Sequence, residues 1–183
     1  MKIDIGGGNM GLAGYKTVDI VNADYIVNLE TDKLPFESNS IEEIYTHSTL
    51  EHIKNLIHVM NEMWRVLEWG GKLTIIVPHQ DCTAAYQDPT HVRFFNTECK
   101  KFFEGHYINK WKLQYSPEIK CAFKKLNTVV AVVREKTRGH EYLEGNKPHL
   151  KEIMWSLVKD KKYAMQNKPF YIKEYKEGWK YDN

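Results

Sequence analysis

The sequence predicts an α/β fold with a mostly parallel central sheet, and three observations predict it. Short strand-like runs alternate with loops and with one strongly helix-like segment. The strand-like runs are followed by glycines or by polar residues where each run ends. The last strand-like segments, near 111–115, 119–124 and 127–135, follow one another at hairpin-like spacing, so we expect an antiparallel strand near one edge of the sheet.

The first half of the chain supplies most of the predicted elements. The strand candidates there are residues 2–5, 17–21, 24–29, 41–47 and 72–78. From about residue 53 to 68, apolar side chains recur at helical spacing and predict an amphipathic helix: Ile53, Leu56, Ile57, Met60, Met63, Trp64 and Leu67. Gly70 and Gly71 follow, and we expect them to end this helix.

The composition changes after residue 135, which predicts a domain at 1–135 and a C-terminal extension at 136–183. The extension begins with a polar, glycine-containing linker. Residues 149–163 then read as an amphipathic helix with one apolar face: Leu150, Ile153, Met154, Leu157 and Val158. A Lys- and Tyr-rich tail follows.

Composition excludes several functional classes. The 183 residues are 42% apolar, enough for one domain with a buried core. A formal net charge of +2 does not favour a nucleic-acid partner. Apolar runs of about five residues are too short for a membrane span. Strand-like sequence begins at Lys2 and the cysteines (Cys82, Cys99 and Cys121) have no paired spacing, so we expect a soluble, cytoplasmic protein with free thiols.

The residues that follow the first two strands predict a nucleoside site. Ligands of open α/β sheets bind beyond the carboxyl ends of the strands. Gly6, Gly7 and Gly8 follow the first strand, where bare backbone allows a ligand to approach the main chain. Asp19 follows the second strand, and its carboxylate can accept hydrogen bonds from both hydroxyls of a ribose.

The next strand ends add to the same site. Asn28 and Leu29 follow the third strand, where an amide could bind an adenine edge and an apolar side chain could cover its face. Thr46 lies at the end of the fourth strand. Only residues 6–17 separate the first two strands, so no three-turn helix fits between them and the dinucleotide fingerprint is disfavoured.

Three longer stretches resemble the class I S-adenosylmethionine-dependent methyltransferases. "IDIGGG" is similar to their first motif, and "LPFESNSIEEIYTHSTLEHI" and "MWRVLEWGGKLTIIVP" are similar to two later ones. The short crossover "GLAGYKTVDI" and the later "DPTHVRFF" resemble a subgroup of small members. The resemblance covers residues 2 to about 135, and implies a Rossmann-like methyltransferase fold with S-adenosylmethionine as cofactor.

The resemblance also implies roles by position. Gly6 and Gly8, with Gly7 between them, would flank the methionine part of the cofactor, and Asp19 would hold its ribose. Asn28 and Leu29 would contact the adenine, and Thr46 would lie near the sulfonium. The chain departs from the family at Gly7, Met10 and Asn28, where other residues are common.

The segment after the fifth strand carries the candidate catalytic groups. "PHQDCTAAYQDPTHVRFF", residues 78–95, contains two histidines and two aspartates. We predict His91 as a general base, because its ordinary pKa lies near neutrality, and Asp88 as the group that orients it. Alternatively, Asp88 simply caps a turn with Pro89 and Thr90. No metal site is expected, since no i, i+4 ligand pair is present.

These features predict a methyltransferase that acts on a small-molecule or sugar-type acceptor, preferably through a hydroxyl. One alternative is a non-catalytic protein that binds the cofactor as a partner subunit or sensor, and another is a nicotinamide-dependent oxidoreductase. DNA adenine methylation is disfavoured, because "THSTLEH" stands where those enzymes carry an Asp/Asn-Pro-Pro-aromatic motif. At the start of the long helix, Glu51 is expected to serve the helix rather than catalysis.

Overall fold

The computed structural model describes residues 1–105, 116–133 and 150–163, and these form one seven-stranded sheet. The strands are β1 (Lys2–Ile5), β2 (Lys16–Asp19), β3 (Tyr25–Ile26), β4 (Ile41–His47), β5 (Leu67–Pro78), β6 (Lys124–Val133) and β7 (Leu150–Val158). The α-helices are α1 (Leu56–Val66) and α2 (Ala84–Gln87). A 3₁₀ turn at Leu50–His52 links β4 to α1. The strand predicted near 111–115 and the tail after 163 lie outside the described residues.

The sheet order is β3-β2-β1-β4-β5-β7-β6. Strands β1 to β5 pair in parallel, and β7 is antiparallel to both of its neighbours. This confirms the predicted α/β fold with an antiparallel strand near one edge. Residues 6–15 connect β1 to β2 without a helix, as the short crossover required.

Apolar residues of the central strands and of α1 form the core. Ile3, Ile44 and Ile75, one from each of three neighbouring strands, are fully buried. Helix α1 places Met60 and Met63 against this sheet. Full burial of such side chains contributes about 1.5–3 kcal/mol each, which explains why these short strands pair in one register. Because β1, β2, β3 and β4 run parallel, their carboxyl ends lie at the same edge of the sheet.

The predicted end of the long helix is wrong. Helix α1 ends at Val66 and β5 begins at the next residue, so Gly70 and Gly71 lie inside a strand. They belong to an irregularity in the pairing of β4 with β5. Gly70 has a φ of +89°, and a Cβ on Gly71 would lie 2.9 Å from the carbonyl oxygen of Glu42. The glycines thus accommodate a bulge rather than a helix cap.

The amphipathic helix predicted at 149–163 is also wrong, because Leu150–Val158 is strand β7. Ile153, Trp155 and Leu157 are buried at every second position, which is the period of a strand. The helical interpretation grouped Met154 with Ile153 and left Trp155 off the apolar face. Strand β7 lies between β5 and β6, so this part of the C-terminal extension is integral to the sheet.

The residue after β7 fastens this strand to the end of α1. The ammonium of Lys159 is buried and donates hydrogen bonds to the carbonyl oxygens of Trp64 (2.7 Å) and Leu67 (2.8 Å). It also donates to the Asn39 side chain at 2.7 Å. Trp64 lies in the last turn of α1, where carbonyl oxygens lack a partner within the helix, and Lys159 supplies a donor there. Burial lowers the pKa of Lys159 to about 8.

Candidate functional site

A cleft of about 330 Å³ lies at the carboxyl ends of the first four strands. Residues that follow each of these strands line it, among them Gly6, Asp19, Asn28, Leu29, Glu30, Thr49 and His52. Its volume falls at the lower end of the range for small-molecule sites. The structure therefore brings together four of the residues predicted from sequence to bind one nucleoside.

The glycine loop is shaped by contacts that exclude side chains. Gly6 has a φ of +82°, and a Cβ there would lie 1.9 Å from the hydroxyl oxygen of Thr49. That hydroxyl donates to the carbonyl oxygen of His47 at 3.0 Å. Gly8 has a φ of +50°, and a Cβ there would lie 3.6 Å from the Asp19 carboxylate. The bare loop thus runs close to the carboxylate that follows β2.

Asp4 organises this loop, and the sequence analysis missed it. The side chain is buried within β1, and its Oδ2 accepts a hydrogen bond from the backbone N–H of Leu12 at 2.8 Å. A Cβ on Gly7 would lie 2.9 Å from the same carboxylate. Burial raises the pKa of Asp4. An acidic residue inside an apolar strand, directly before glycines, was the signal that could have identified it.

Asp19 stands at the end of β2, where the prediction placed it. Its Oδ1 accepts from the backbone N–H of Ile20 at 2.6 Å, which fixes the carboxylate beside the cleft. A carboxylate has about four acceptor positions, so it can accept further bonds from ligand hydroxyls.

The loop after β3 forms another wall of the cleft. Asn28 uses its side-chain oxygen to accept from the N–H of Glu30 at 3.0 Å, and Leu29 is buried in the core. The Glu30 carboxylate accepts from the N–H groups of Lys54 (2.7 Å) and Asn55 (2.8 Å) just before α1. Glu30 therefore serves the start of the helix, the role that the sequence analysis gave to Glu51.

The structure does not bring Thr46 to this cleft. Thr46 is 1% exposed within β4, and its hydroxyl has no hydrogen-bond partner among the described residues. Ser48 and Thr49, which follow the strand, line the cleft instead. The difference arises from strand alternation, since Thr46 shares the buried face of β4 with Ile44.

The segment at 78–95, which carries the predicted catalytic groups, packs on the 3₁₀ turn after β4. The backbone N–H groups of Val92 and Arg93 both donate to the carbonyl oxygen of Glu51, at 2.9 and 3.1 Å. The Arg93 guanidinium donates to the carbonyl oxygens of Ile53, at 2.7 Å, and of Lys54. Arg93 thus holds the two segments together through backbone carbonyl oxygens.

His91 is held with a defined tautomer. Its Nδ1 lies 2.9 Å from the carbonyl oxygen of Ala85 in α2. A carbonyl oxygen can only accept, so Nδ1 carries the proton and Nε2 of the neutral ring carries the lone pair. Nε2 lies 4.0 Å from Oε1 of Glu51.

The Asp88 carboxylate makes no hydrogen bond to the His91 ring in the described residues, contrary to the predicted orienting role. The two residues are bonded through the backbone, where the His91 N–H donates to the Asp88 carbonyl oxygen at 3.1 Å. Oδ1 of Asp88 accepts from both the N–H (2.8 Å) and the hydroxyl (2.6 Å) of Thr90, as in the alternative interpretation of a turn. These bonds lower the pKa of Asp88. The ionised carboxylate can only accept, so the Thr90 hydroxyl donates its proton to Asp88.

Asp88 instead orients His52, by way of Thr90. Nδ1 of His52 lies 2.8 Å from the Thr90 hydroxyl oxygen. Because that hydroxyl has already donated its proton, His52 Nδ1 must be the donor and Nε2 carries the lone pair. The His52 and His91 rings pack edge-to-face, with centroids 4.7 Å apart.

Glu51 completes this arrangement. Its side chain is 1% exposed, and neither carboxylate oxygen has a hydrogen-bond partner among the described residues. Burial raises its pKa. One potential ligand atom from each of Glu51, His52 and His91 lies within 4.8 Å of the other two. We refer to these three residues as the Glu51–His52–His91 cluster.

The sequence analysis did not foresee this cluster. The sequence points to His91 together with Asp88, and no metal site is expected from it because the 78–95 segment has no i, i+4 ligand pair. The adjacent pair Glu51-His52, shortly after the predicted strand at 41–47, was the available signal.

Comparison with known protein families gives one match, in the N-terminal part of the chain. Residues 3–75 match the family model described as "Methyltransferase domain". No curated protein matches the chain. Within 1–105, 116–133 and 150–163, no helix combines the length and apolar character needed to cross a membrane.

Solved structures share the fold at low sequence identity. A SAM-dependent methyltransferase from Thermotoga maritima gives a TM-score of 0.54 at 15% identity, over 87% of this chain and 82% of its own. The YcgJ protein from Bacillus subtilis gives 0.55 at 15%, over 87% and 91%. A SAM-dependent methyltransferase from Methanosarcina mazei gives 0.51 at 15%, over 87% and 92%. These likenesses concern the fold.

Proposed function

We propose that this chain is a class I S-adenosylmethionine-dependent methyltransferase that transfers a methyl group to a hydroxyl of a small-molecule or sugar-type acceptor. The match of residues 3–75 to a methyltransferase domain and the fold shared with solved methyltransferases support this. S-adenosylmethionine supplies, when bound, a methyl group activated by a sulfonium. The protein must then align the acceptor and take up its proton.

The cleft at the ends of β1 to β4 carries this proposal. Its residues fit the cofactor chemically, because Gly6 presents bare backbone to the cleft and Asp19 presents a carboxylate for ribose hydroxyls. Asn28 and Leu29 would hold the adenine on the side of β3. The Asn28 oxygen already accepts from Glu30, so its amide N–H₂ is the group we assign to an adenine ring nitrogen.

The acceptor side is assigned to the neighbouring residues of the 88–95 segment and α2. His52 lines the cofactor cleft and packs on His91, so this pair of rings joins the cofactor cleft to the proposed acceptor site. A second cleft of about 330 Å³ is lined by Asp81, Cys82, Thr83, Tyr86 and Gln87. Its size suits a small molecule, and α2 is the helix whose Ala85 carbonyl orients His91.

His91 is the residue to which we assign the acceptor's proton. Its Nε2 carries a lone pair and lies 4.0 Å from Oε1 of the buried Glu51 carboxylate. Asp88 is assigned a positioning role, acting on His52 through Thr90.

Calorimetric titration with S-adenosylmethionine, followed by turnover against a panel of hydroxylated metabolites and sugars, tests the proposal. Asp19→Ala should weaken cofactor binding at least about tenfold, which corresponds to loss of about 1.4 kcal/mol of hydrogen bonding. Asp160→Asn, which alters a surface acid paired with Lys124, is the matched control and should leave binding unchanged. Absence of binding would contradict the proposal, and binding without turnover of any acceptor would favour the non-catalytic alternative.

A further inference from the structure

We propose that the Glu51–His52–His91 cluster binds one divalent transition-metal cation of the Zn²⁺ type beside the cofactor cleft. Two imidazoles and one carboxylate form a ligand set suited to such cations. If the proposed function is right, the hydroxyl of the acceptor would meet this cation. That role in the reaction rests on the proposed function, and the metal site itself does not.

The state of Glu51 is the first argument. A carboxylate that is 1% exposed normally has a full set of hydrogen bonds, because leaving it without them is costly. Neither oxygen of Glu51 has a hydrogen-bond partner among the described residues, and Oε1 lies 4.0 Å from Nε2 of His91. A cation would provide the partner that this side chain lacks.

The tautomers of the two histidines are the second argument. The carbonyl of Ala85 fixes the proton of His91 on Nδ1, and the Thr90 hydroxyl fixes that of His52 on the same atom. Both rings therefore keep Nε2 unprotonated while neutral. Metal-binding histidines are characteristically oriented in this way, by a hydrogen bond from the other ring nitrogen.

The distances are compatible with a shared cation after a small contraction. One potential ligand atom from each residue lies within 4.8 Å of the other two. Two ligands at about 2.1 Å from a tetrahedral Zn²⁺ are roughly 3.4 Å apart, so the side chains would have to approach one another by up to about 1.4 Å. Three protein ligands leave the fourth position open, as in catalytic sites.

The open position gives the cluster a chemical consequence. A hydroxyl oxygen that ligates a cation loses its proton more readily. The O–CH₃ bond would form as the S–CH₃ bond breaks, and the proton would leave to solvent, because the cation occupies the His91 lone pair. With the cation bound, His91 would act as a metal ligand instead of a base. The enzyme would then select acceptors whose reacting oxygen can bind a cation.

The test uses the full chain after removal of metal with a chelator, in the absence of S-adenosylmethionine. Zinc chloride is titrated into wild type, Glu51→Gln, His91→Asn and His58→Asn by calorimetry. His58 is a matched control, because it lies in α1 and binds the Asp32 carbonyl outside the cluster. Thermal melting with and without Zn²⁺ shows that each variant is folded.

We expect wild type and His58→Asn to bind one Zn²⁺ and to melt at higher temperature with it. Glu51→Gln and His91→Asn should bind at least about tenfold more weakly and lose the shift. No binding by the stripped wild type, or equal binding by the cluster variants, would overturn the proposal. Cofactor affinity is measured separately on the same samples, so a failure here leaves the proposed function standing.

Discussion

Nε2 of His91 lies 4.0 Å from Oε1 of Glu51, although the two side chains come from segments that follow different strands. Glu51 belongs to the 3₁₀ turn after β4, and His91 to the loop after β5. The parallel pairing of β4 with β5 brings these two segments to the same sheet edge. The buried carboxylate and the imidazole therefore form one unit next to the cofactor cleft.

Replacing His91 by Asn should reduce turnover with little change in cofactor affinity. The variant loses the Nε2 lone pair, and loss of a general base or of a metal ligand costs about 10²- to 10⁴-fold in rate. Steady-state kinetics and calorimetry on the same preparation measure both quantities, with His58→Asn as the control. Turnover equal to that of wild type would show that His91 has no role in the reaction.

Replacing Gly6 by Ala should weaken cofactor binding and destabilise the fold. Its φ is +82°, and the new Cβ would lie 1.9 Å from the Thr49 hydroxyl. Gly14→Ala is a close control, because Gly14 has a φ of +84° but no atom within 4 Å of a Cβ. We expect about 1 kcal/mol of destabilisation in Gly14→Ala, from backbone strain alone, and more in Gly6→Ala.

Denaturant melts measure these losses, and titration with S-adenosylmethionine measures the affinity. Equal effects of the two substitutions on both quantities would show that the contact between Gly6 and Thr49 has no importance for the cleft.

Replacing Glu51 by Gln should stabilise the metal-free protein at neutral pH. Burial raises the pKa of Glu51 in the folded state above its ordinary value of 4.5. Above about pH 4.5 the unfolded chain releases this proton more readily, so the free energy of unfolding of wild type falls as the pH rises. The advantage of the variant should therefore be present at pH 7 and disappear near pH 4.

Urea melts of both proteins between pH 4 and pH 7, with chelator present, provide the measurement. A variant that is less stable than wild type at pH 7 would mean that the carboxylate has a stabilising partner.

Replacing Lys159 by Met should destabilise the protein by about 1–3 kcal/mol near neutral pH. The carbonyl oxygens of Trp64 and Leu67 would lose their donor. Because the pKa of Lys159 is lowered to about 8, the unfolded chain binds more protons than the folded one between about pH 8 and its ordinary 10.5. The free energy of unfolding of wild type should thus rise, relative to the variant, as the pH increases through this window.

Denaturant melts at pH 7, 8, 9 and 10 measure both the destabilisation near neutral pH and its change with pH. A difference between wild type and variant that stays constant with pH would exclude a lowered pKa for Lys159.

Strand β7 can be tested against the helical interpretation by two neighbouring substitutions. Trp155 is 1% exposed and Met154 is only partly buried, so Trp155→Ala should cost about 3–5 kcal/mol and Met154→Ala considerably less. If this segment were a helix with Met154 on its apolar face, Met154→Ala would lower the free energy of unfolding more than Trp155→Ala. Denaturant melts of the two variants decide between them.

The sequence predicted those features that depend on local pattern. Strand β4 has the bounds expected from alternation, and Asp19 stands at the end of β2 as its position required. Strand β7 was interpreted as a helix because, over a short stretch, its apolar residues fit both the helical and the strand period. Only the pairing with β5 and β6 decides between the two. The contact of His91 with Glu51 depends on how two loops pack, which no local pattern encodes.

The most direct measurement is a crystal structure of the full chain with the demethylated product, S-adenosylhomocysteine. The account predicts density in the cleft between Gly6 and Asp19, with ribose hydroxyls within hydrogen-bonding distance of the Asp19 carboxylate. A nucleoside bound elsewhere, or crystals that take up no ligand at saturating concentration, would contradict it.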